Sequence, residues 1–516
     1  DSHEVITMPS KDIIRLDFSK RKQISISLDP RRIYDFDTQG RDFEFQEIAE
    51  ENILLIKYTK LLGDEEDYSL YLAITGYAKF EIDDLWSPRN YEYDAMRSYS
   101  KEWWVYNGLK ITPKDNTLFL SQAMTKEQAL QLARKKPDFS DISESLKKKC
   151  LKDLDTEKQV AYDASISALD SLIVDDNGIY AGYYWFFQFW TRDEAISLKG
   201  LIQEKTKSQF VRDVLRRMLD KVLEDGRMPN RFPHSSLGSS DGGFWAMKRL
   251  AESIDLFSID EKTSFRKVLE KSCERLLKNH TKDDFDVNGP METWMDTTGS
   301  LPDTRDGARI EMQALRLNFY RLLFELTNDD KYKELEEELS VKVKNSFYAE
   351  DKLADGIFFD EELSSWKKDM TQRPNIFLAF YIYPNLLSKR EWEAVFDSAL
   401  EKLWLDWGAL ATIEKDHEWF QPYYTGEDNK SYHRGDSWYF VNNIAAIAMH
   451  RLNRSKYSEK ITKILDASIN DCLFKGVIGG SSEVSSASEQ RAEGTWVQAW
   501  SSGTLIELFH EIYTSK

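Results

Sequence analysis

The chain has 516 residues, which is enough for two or three ordinary domains and for a large buried core. Lys and Arg number 70 against 89 Asp and Glu, and the resulting net charge of −19 disfavours nucleic acids and anionic membranes as partners. The cysteines, Cys150, Cys273 and Cys472, lie far apart and lack the spacing of a disulfide framework or a zinc site.

Up to about residue 124 the sequence alternates between apolar and polar residues, as half-buried β-strands do. The alternating segments are residues 23–28, 52–58, 68–75, 79–82 and 117–120. This pattern predicts a β-rich, sandwich-like N-terminal domain over residues 1–124, with a supporting role favoured over a catalytic one. A charged stretch, residues 126–150, predicts a helical linker over residues 125–155.

From about residue 157 the apolar residues recur with the period of α-helices. One group of segments has an apolar stripe and a charged face, which indicates outer helices: residues 210–223, 265–277, 332–343, 392–403 and 457–469. A second group is apolar on nearly all sides, which indicates buried inner helices: residues 310–326, 376–383, 438–449 and 497–509. Six alternating pairs predict a mainly α chain with an (α/α)6 toroid over residues 156–516; a helical solenoid is the rival, but no sequence unit repeats.

An aromatic and polar cluster precedes or opens each predicted inner helix. The clusters cover residues 183–193, 226–245, 292–307, 371–375, 418–438 and 479–500. Because the inner helices of a toroid run parallel, these clusters should meet at one mouth of the ring and line a pocket. Aromatic faces combined with carboxylates, Arg, Asn and Gln are suited to sugars. Nucleophile-elbow, Walker and dinucleotide-binding patterns are absent from the sequence.

Two carboxylic acids are candidates for hydrolysis of a glycosidic bond. This reaction needs an undissociated acid at the leaving oxygen and an ionised carboxylate that activates water or attacks carbon. Asp296 is predicted to be the general acid because it follows Trp294 in a loop where apolar neighbours would raise its pKa. Glu483 is predicted to be the general base because Gly and Ser neighbours leave room for a water molecule, with Glu489 and Glu493 as its rivals.

Structural roles compete with the functional ones. Arg192 and Asp193 could form an ion pair at a helix start, Glu311 could be a buried polar anchor, and His433 could be a hydrogen-bonded structural histidine. Several tryptophans of the clusters could belong partly to the core: Trp185, Trp190, Trp245 and Trp438. The location of all these groups at successive helix starts favours a site.

Six short motifs between residues 182 and 508 carry a family resemblance. They read TRDEAISLKGLI, GRMPNRFP, TWMD followed by TRDGARIEMQAL, QRPN, YHRGDSW and QAWS. In this order and spacing they resemble the glucosidase module of glycogen-debranching enzymes, the amylo-α-1,6-glucosidases. The resemblance implies an (α/α)6 fold and an inverting exo-α-1,6-glucosidase that releases glucose from branch points of glycogen or of limit-dextrin-like oligosaccharides. It also implies that the acid falls on Asp296 and the base on Glu483.

The resemblance further implies that Arg192 and Asp193 hold the terminal glucose, with Glu311 and His433 lining the site. Further candidates come from the aromatic and polar side chains of the clusters. The full set of predicted substrate-binding residues is Arg192, Asp193, Trp190, Trp185, Asp241, Trp245, Trp294, Glu311, Gln372, Arg373, His433 and Trp438. No cofactor and no metal is predicted. The expected partner is an α-glucan or maltooligosaccharide substrate, and the oligomeric state is left open.

The sequence departs from the family pattern at three places. Gly242 and Gly243 follow Asp241 where the family commonly has Asp-Ala, Tyr439 replaces a usual Pro, and the segment SSEVSSASEQ replaces a Pro-Glu and Asp-Gly-rich stretch. These departures leave the linkage preference open. A glucoamylase-like or trehalase-like enzyme is therefore one alternative, and a non-catalytic carbohydrate-binding protein is another.

Three further expectations concern processing and location. The N-terminal residues lack the pattern of a signal peptide, and no apolar run approaches the roughly 18 residues of a membrane span. Together with the widely spaced cysteines, this predicts a cytoplasmic protein. Nothing resembles the separate transferase module of large debranching enzymes, so hydrolysis alone is expected.

Overall fold

The computed structural model describes most of the chain: residues 4–10, 13–20, 22–31, 39–63, 65–95, 102–135, 151, 154–174, 177–183, 186–205, 207–232, 238–426 and 429–514. It divides into two compact units, Asp1–Lys148 and Lys149–Lys516. Helices account for 45% and strands for 26% of the structure. The chain is thus mixed, and the expected helical character belongs to the second unit.

The first unit contains two antiparallel sheets. Its strands are β1 Glu4–Ser10, β2 Ile13–Phe18, β3 Ile24–Leu28, β4 Arg41–Ile48, β5 Ile53–Leu62, β6 Glu65–Thr75, β7 Tyr77–Ile82, β8 Trp86–Asn90, β9 Glu102–Pro113 and β10 Thr117–Ala123. The larger sheet has the strand order β1-β2-β10-β6-β5-β4, and in the smaller sheet β9 pairs with β3, β7 and β8. A 3-10 helix, Ala49–Glu51, and a one-turn helix, α1 (Glu92–Ala95), lie in the connections.

The apolar run at the start of β5 explains how this unit is held together. Successive side chains of a strand point to opposite faces, so Leu54 and Ile56 pack against the β9 residues Leu109 and Ile111 in a core shared by the two sheets. On the other face, Ile53 and Leu55 pack against Ala129 and Leu130 of helix α2 (Lys126–Arg134). Burial on both faces accounts for a strand without polar alternation. The rest of the predicted helical stretch, residues 136–150, lies outside the described residues.

Helices of the second unit alternate between two positions. The inner helices are α4 Thr191–Glu204, α6 Gly242–Glu252, α8 Ile310–Thr327, α10 Asn375–Ile382, the first part of α12 Tyr439–Phe474, and α13 Ala499–Tyr513. Each inner helix contacts the next in chain order, and α13 contacts α4, so the inner helices form a closed ring. The outer helices are α3 Thr156–Ser171, α5 Ser208–Leu219, α7 Ile259–Asn279, α9 Asp330–Phe347, α11 Lys389–Leu403 and the second part of α12. Two 3-10 helices, Ile254–Leu256 and Pro384–Leu386, connect inner to outer helices.

Helix α12 changes from inner to outer at Asn453. The backbone of Asn453 is non-helical, with φ −160° and ψ 85°. Its Oδ1 accepts a hydrogen bond from the backbone N–H of Lys456 at 3.2 Å, as the cap of a new helix does. Residues 439–449 are all buried, whereas buried and exposed residues alternate after the kink. Asn453 thus divides one continuous helical segment into an inner helix and an outer helix of the ring.

Short antiparallel strands connect the segments that precede the inner helices. They pair Gly182–Tyr183 with Val497–Gln498, Phe189–Trp190 with Arg231–Phe232, Met228–Pro229 with Gly238–Ser239, Ala308–Arg309 with Gly356–Asp360, and Ser437–Trp438 with Val484–Ser485; Gly356–Asp360 also pairs with Ser365–Asp369. Short hairpins follow four outer helices, at Ile173–Val174 with Gly178–Ile179, Thr281–Lys282 with Phe285–Asp286, Tyr348–Ala349 with Lys352–Leu353, and Trp404–Leu405 with Ala409–Leu410. The starts of the inner helices therefore lie at one end of the ring. In the part of the chain that is described, no helix has the length and apolarity of a membrane span.

Candidate active site at the starts of the inner helices

A buried ion pair joins the starts of two neighbouring inner helices. Arg192 lies in the first turn of α4, and its Nε donates to both carboxylate oxygens of Asp241 at 2.8 Å. Asp241 directly precedes α6 and also accepts a hydrogen bond from Ser239 Oγ at 2.9 Å. A Cβ on Gly242 would lie only 3.2 Å from the backbone nitrogen of Arg192. Glycine at this departure from the family pattern therefore permits the close approach of the two helix starts.

Asp296 lies beside this ion pair. Its Oδ2 is 3.5 Å from Arg192 Nη1. The Asp296 side chain is 36% exposed, whereas that of Arg192 is 5% exposed. The surrounding protein nevertheless desolvates the carboxyl group and raises its pKa to about 6; Arg192 opposes this rise and the charge of Asp241 adds to it. A carboxylic acid with this pKa stays protonated in mildly acidic solution, as a general acid must.

Two hydrogen bonds hold the Glu483 carboxylate. The hydroxyl of Tyr432 donates to Oε1, and the backbone N–H of Thr495 donates to Oε2 at 3.0 Å. The backbone N–H of Glu483 in turn donates to Thr495 O at 2.8 Å. Gly494 has a φ of +65°, and a Cβ there would overlap Oε2. Glu483 is only 2% exposed, so its orientation is fixed by the protein around it.

The two rival glutamates occupy different surroundings. Glu489 is exposed on its loop. Glu493 is buried, its Oε1 lies 3.1 Å from Arg491 Nε, and burial raises its pKa. Glu483 therefore remains the preferred candidate for the base.

Asp193 connects the two candidate catalytic carboxyl groups. It follows Arg192 in α4, is 6% exposed, and its Oδ1 accepts a hydrogen bond from Gln498 Nε2 at 3.1 Å. Burial raises the pKa of Asp193 well above its usual value, Arg192 opposes the rise, and the charges of Glu483 and Asp296 both add to it. Thr495 links Gln498 to Glu483, because its Oγ1 bonds to Gln498 and its backbone N–H donates to Glu483. Arg192, which precedes Asp193, contacts Asp296. The start of α4 is therefore connected to both candidate groups.

Neighbouring residues also connect the acid loop to the base. Thr297, next to Asp296, has its Oγ1 2.8 Å from His433 Nδ1. Tyr432, next to His433, is the hydroxyl donor to Glu483. Burial, together with nearby arginines, holds the pKa of His433 well below its usual value, so this imidazole is neutral. His433 thus acts as a polar contact between the two loops, not as a charge.

An aromatic cluster backs this connection. The rings of Trp294 and Trp438 lie 5.5 Å apart, and the rings of His433 and Trp438 stack at 5.1 Å. Trp294 Nε1 donates to Asn375 Oδ1 at 2.7 Å, and Trp438 Nε1 donates to the backbone oxygen of Tyr432 at 2.7 Å. Both tryptophans are buried, so they support the site residues as well as surrounding them.

Three predicted substrate-binding residues already bind other protein groups. Glu311 Oε1 accepts from Arg305 Nη2 at 3.0 Å, Arg373 Nη2 donates to Asp303 Oδ2 at 2.7 Å, and Gln372 Nε2 donates to a backbone oxygen at 3.0 Å. Glu311 Oε2 and Gln372 Oε1 are buried and have no hydrogen-bond partner among the described residues. Within these same ranges, no three His, Cys, Asp or Glu side chains come together as metal ligands would.

The remaining predicted tryptophans are distributed differently. Trp190 Nε1 donates to Gln188 Oε1 at 3.3 Å, and the Arg231 guanidinium lies 5.6 Å from its ring. Trp245 is 2% exposed and packs against Tyr381 inside the ring of helices, so its role in the structure is in the core. Trp185 lies outside the described residues.

Several residues at this end of the ring were not singled out from the sequence. Tyr432 and Arg434 lie inside the YHRGDSW motif, and Gln498 opens QAWS, so the motifs themselves contained the signal. Asp303 carried no such signal. It accepts from Arg373 Nη2 at 2.7 Å and from Arg434 Nε at 3.1 Å, partners that lie 70 and 131 residues away.

Comparisons with known proteins identify a family and a shared fold. A family model described as amylo-alpha-1,6-glucosidase matches residues 164–507, whereas no curated protein sequence matches the chain. A bacterial glucoamylase solved in complex with acarbose is similar in structure, with a TM-score of 0.65 at 11% identity, over 98% of this chain and 81% of that chain. A GH63 mannosylglycerate hydrolase from Thermus thermophilus, in complex with Tris and D-glycerate, gives a TM-score of 0.51 at 14% identity, over 68% of this chain and 99% of that chain. At these identities the likeness shows a shared fold.

Proposed function

The chain belongs to the amylo-alpha-1,6-glucosidase family, and from this premise we propose that it is an inverting exo-α-1,6-glucosidase. Its substrates are the branch points of glycogen or of limit-dextrin-like oligosaccharides, from which it releases glucose. The proposal takes residues 156–516 as an (α/α)6 catalytic domain. One observation carries it: the start of α4 is connected to both carboxyl groups, to Asp296 through Arg192 and to Glu483 through Asp193, Gln498 and Thr495. An acid and a base beside one sugar position are what glycoside hydrolysis requires.

Asp296 is the proton donor and Glu483 the proton acceptor. Asp296 gives its proton to the glycosidic oxygen as the bond from that oxygen to C1 of the terminal glucose breaks. A water molecule attacks C1 from the opposite face and gives a proton to Glu483. The products are β-glucose and a glucan with a free hydroxyl at the former branch point. An inverting site of this kind places the carboxyl groups about 6.5–9.5 Å apart.

Arg192 and Asp193 hold the terminal glucose in this proposal. Asp241 neutralises Arg192 on one side, which leaves its Nη1 on the Asp296 side of the site. Asp193, with its raised pKa, can offer a hydroxyl as well as a carbonyl oxygen to a sugar. Polar groups fixed in this way recognise hydroxyls by direction as well as by charge.

The opposite end of the ring supports exo action. Arg249 of α6 donates to Tyr381 Oη of α10 at 3.1 Å, and Tyr381 Oη donates to Glu507 of α13 at 2.9 Å. These three helices are not neighbours in the ring, so the contacts cross its centre. Arg249 and Glu507 are fully buried. A pocket closed at this end suits removal of one terminal sugar better than passage of a chain.

The test compares glucose release from three substrates by the purified protein. A maltooligosaccharide with a single α-1,6-linked glucose should have the highest kcat/KM, above maltose and trehalose. Preference for maltose would indicate a glucoamylase-like enzyme, and activity on trehalose alone a trehalase-like one. Sugar binding without turnover, unchanged in Asp296→Asn, would indicate a carbohydrate-binding protein. The same variant controls for contaminating glucosidases.

We also propose a cytoplasmic location, because the widely spaced cysteines do not form the pattern of a disulfide framework.

A further inference from the structure

Each oxygen of the Glu483 carboxylate accepts a hydrogen bond, and these two donors come from different loops. Thr495 on Oε2 precedes α13, whereas Tyr432 on Oε1 precedes α12. The donor on Oε2 is a backbone N–H, and the donor on Oε1 is a phenolic hydroxyl. A carboxylate oxygen can accept more than one hydrogen bond, so an oxygen that accepts from protein can also accept from a water molecule.

The Oε2 side of the carboxylate is closed by protein. The backbone of Glu483 pairs with that of Thr495, and Gly494 lies so close that any side chain would overlap Oε2. Thr495 Oγ1 also bonds to Gln498, which in turn donates to Asp193. We therefore expect the reacting water to approach from the Oε1 side.

Tyr432 approaches Oε1 from a fixed platform. Its ring lies 4.6 Å from the ring of Trp438, and its backbone oxygen accepts a hydrogen bond from Trp438 Nε1 at 2.7 Å. Trp438 is 3% exposed, whereas Tyr432 is only partly buried. A partly exposed ring on a buried support presents its hydroxyl in one direction.

We propose that Tyr432 is the positioning residue of the base: its hydroxyl and the Thr495 N–H together fix the plane of the Glu483 carboxylate so that Oε1 faces the attacking water. This inference rests on the proposed function. Without the hydroxyl, Oε1 would lose the Tyr432 donor, and the carboxylate would be held less firmly in its plane. A misplacement of the order of 1 Å in a catalytic group can cost about 100-fold in rate. A donor to the ionised form also lowers the pKa of a carboxyl group, so its loss should raise that pKa.

The test is Tyr432→Phe, which keeps the ring and its packing on Trp438. We expect kcat to fall about 10- to 100-fold with KM within about twofold, because the effect lies on the base and not on sugar binding. The acidic limb of the kcat profile should move to higher pH, since the base would then need a higher pH to ionise. Tyr348→Phe is the matched control, because it also removes a hydroxyl that donates to a carboxylate, that of Asp351 at 2.9 Å, and it lies outside the six clusters; it should behave as the unaltered protein.

A second variant works in the opposite direction. Replacing Tyr432 with 3-fluorotyrosine keeps the hydroxyl and makes it a stronger donor, so the acidic limb should move to lower pH with kcat nearly retained. An unchanged kcat and pH profile in both variants would overturn the inference. So would a rise in KM with unchanged kcat, because Tyr432 would then be a sugar-binding ring.

The assay uses whichever of the three glucosides the unaltered protein hydrolyses, which separates this inference from the proposed linkage preference. Glu483→Gln is measured alongside. If Glu483→Gln is inactive and Tyr432→Phe is normal, the positioning inference alone is wrong. If Glu483→Gln is active, the assignment of the base is wrong, and Tyr432 has no base to position.

Discussion

Two carboxyl groups at opposite ends of the inner-helix ring, Glu252 and Asp296, differ in how their charge is balanced. At the end where the inner helices finish, Glu252 contacts three cations: Lys199 at 3.0 Å, Lys248 at 2.9 Å and Arg249 at 2.5 Å. Their attraction outweighs burial and holds the pKa of Glu252 well below its usual range. At the end where the helices start, burial outweighs attraction, and the pKa of Asp296 rises to about 6.

This difference separates stability from chemistry. Removing the carboxylate at the far end would leave buried cations unpaired, which is strongly destabilising, and the lowered pKa of Glu252 keeps this group ionised near neutral pH. Carboxyl groups with raised pKa values at the site end are costly to bury in the ionised form, and a fold keeps them where the protonated form is useful. Substitutions at the two ends should therefore have opposite consequences, which gives four ways to test the comparison.

The largest expected effect is on activity at the site end. Asp296→Asn and Glu483→Gln should each lower kcat by about 10²–10⁴-fold or more, because each removes one proton transfer while preserving shape. Substrate affinity, measured by calorimetry with the branched oligosaccharide, should persist. Glu489→Gln is the matched control, since Glu489 lies exposed on the same loop as Glu483. Full activity in either catalytic variant would remove that residue from the mechanism.

The next effect is on stability at the far end. Glu252→Gln would leave Lys199, Lys248 and Arg249 without their shared carboxylate, so the free energy of unfolding should fall by about 3–5 kcal/mol. The kcat of the folded fraction should be unchanged. Glu337→Gln, which alters an exposed pair with Lys333 at 3.9 Å, should cost less than about 1 kcal/mol. Unfolding by urea measures both, and equal stability of the two variants would contradict the account.

A smaller effect concerns pH. Asp296 must be protonated to act, so kcat/KM should fall about tenfold per pH unit above about pH 6. In Asp241→Asn this limb should move to lower pH, because the charge that raises the pKa of Asp296 is lost and Arg192 is freed to attract Asp296. The pH dependence of initial rates measures the shift. A limb that moves to higher pH would show that Asp296 does not set it.

The smallest expected effect is a gain in stability at the site end, opposite in sign to the loss expected for Glu252→Gln. The pKa of Asp296 is raised in the folded protein from 3.8 to about 6, so its contribution to stability is full below about pH 3.8 and is lost as pH rises through 6. Asp296→Asn mimics the protonated form and should stabilise the protein at pH 7.5 by about 1 kcal/mol, after allowance for the exposure of the side chain. The gain should shrink at pH 5. A loss of stability at pH 7.5 would show that the ionised Asp296 carboxylate is stabilised by its partners, as Glu252 is, and would contradict the account.

The sequence predicted the existence of the helices more accurately than the residues at which they begin. The outer helix predicted over 265–277 begins at Ile259, because Ser258 and Glu261 form a capping box ahead of the apolar stripe. An apolar stripe indicates which face of a helix is buried, but it does not indicate where a polar first turn begins. Around Asn453 the sequence separated an inner segment, 438–449, from an outer one, 457–469, but it did not identify Asn453 as the capping residue between them.

The candidate site was predictable where its residues stand in local motifs, as Arg192 and Asp296 do, whereas Glu483 was chosen from its Gly- and Ser-rich surroundings. Its hydrogen bonds were not predictable, because they join residues far apart in the chain. Tyr432 meets Glu483 across 51 residues, and Asp303 meets Arg434 across 131. Such pairs depend on how the ring closes, and no periodicity within either segment encodes them.

The most direct test of the central claim is the configuration of the first sugar released. Proton NMR during hydrolysis of a maltooligosaccharide with a single α-1,6-linked glucose should show β-glucose appearing first, followed by slow mutarotation. This result would follow from Asp296 and Glu483 on opposite sides of one bond with a water between them. Initial release of α-glucose would contradict the account, because it requires a retaining pair of carboxyl groups only about 5–5.5 Å apart.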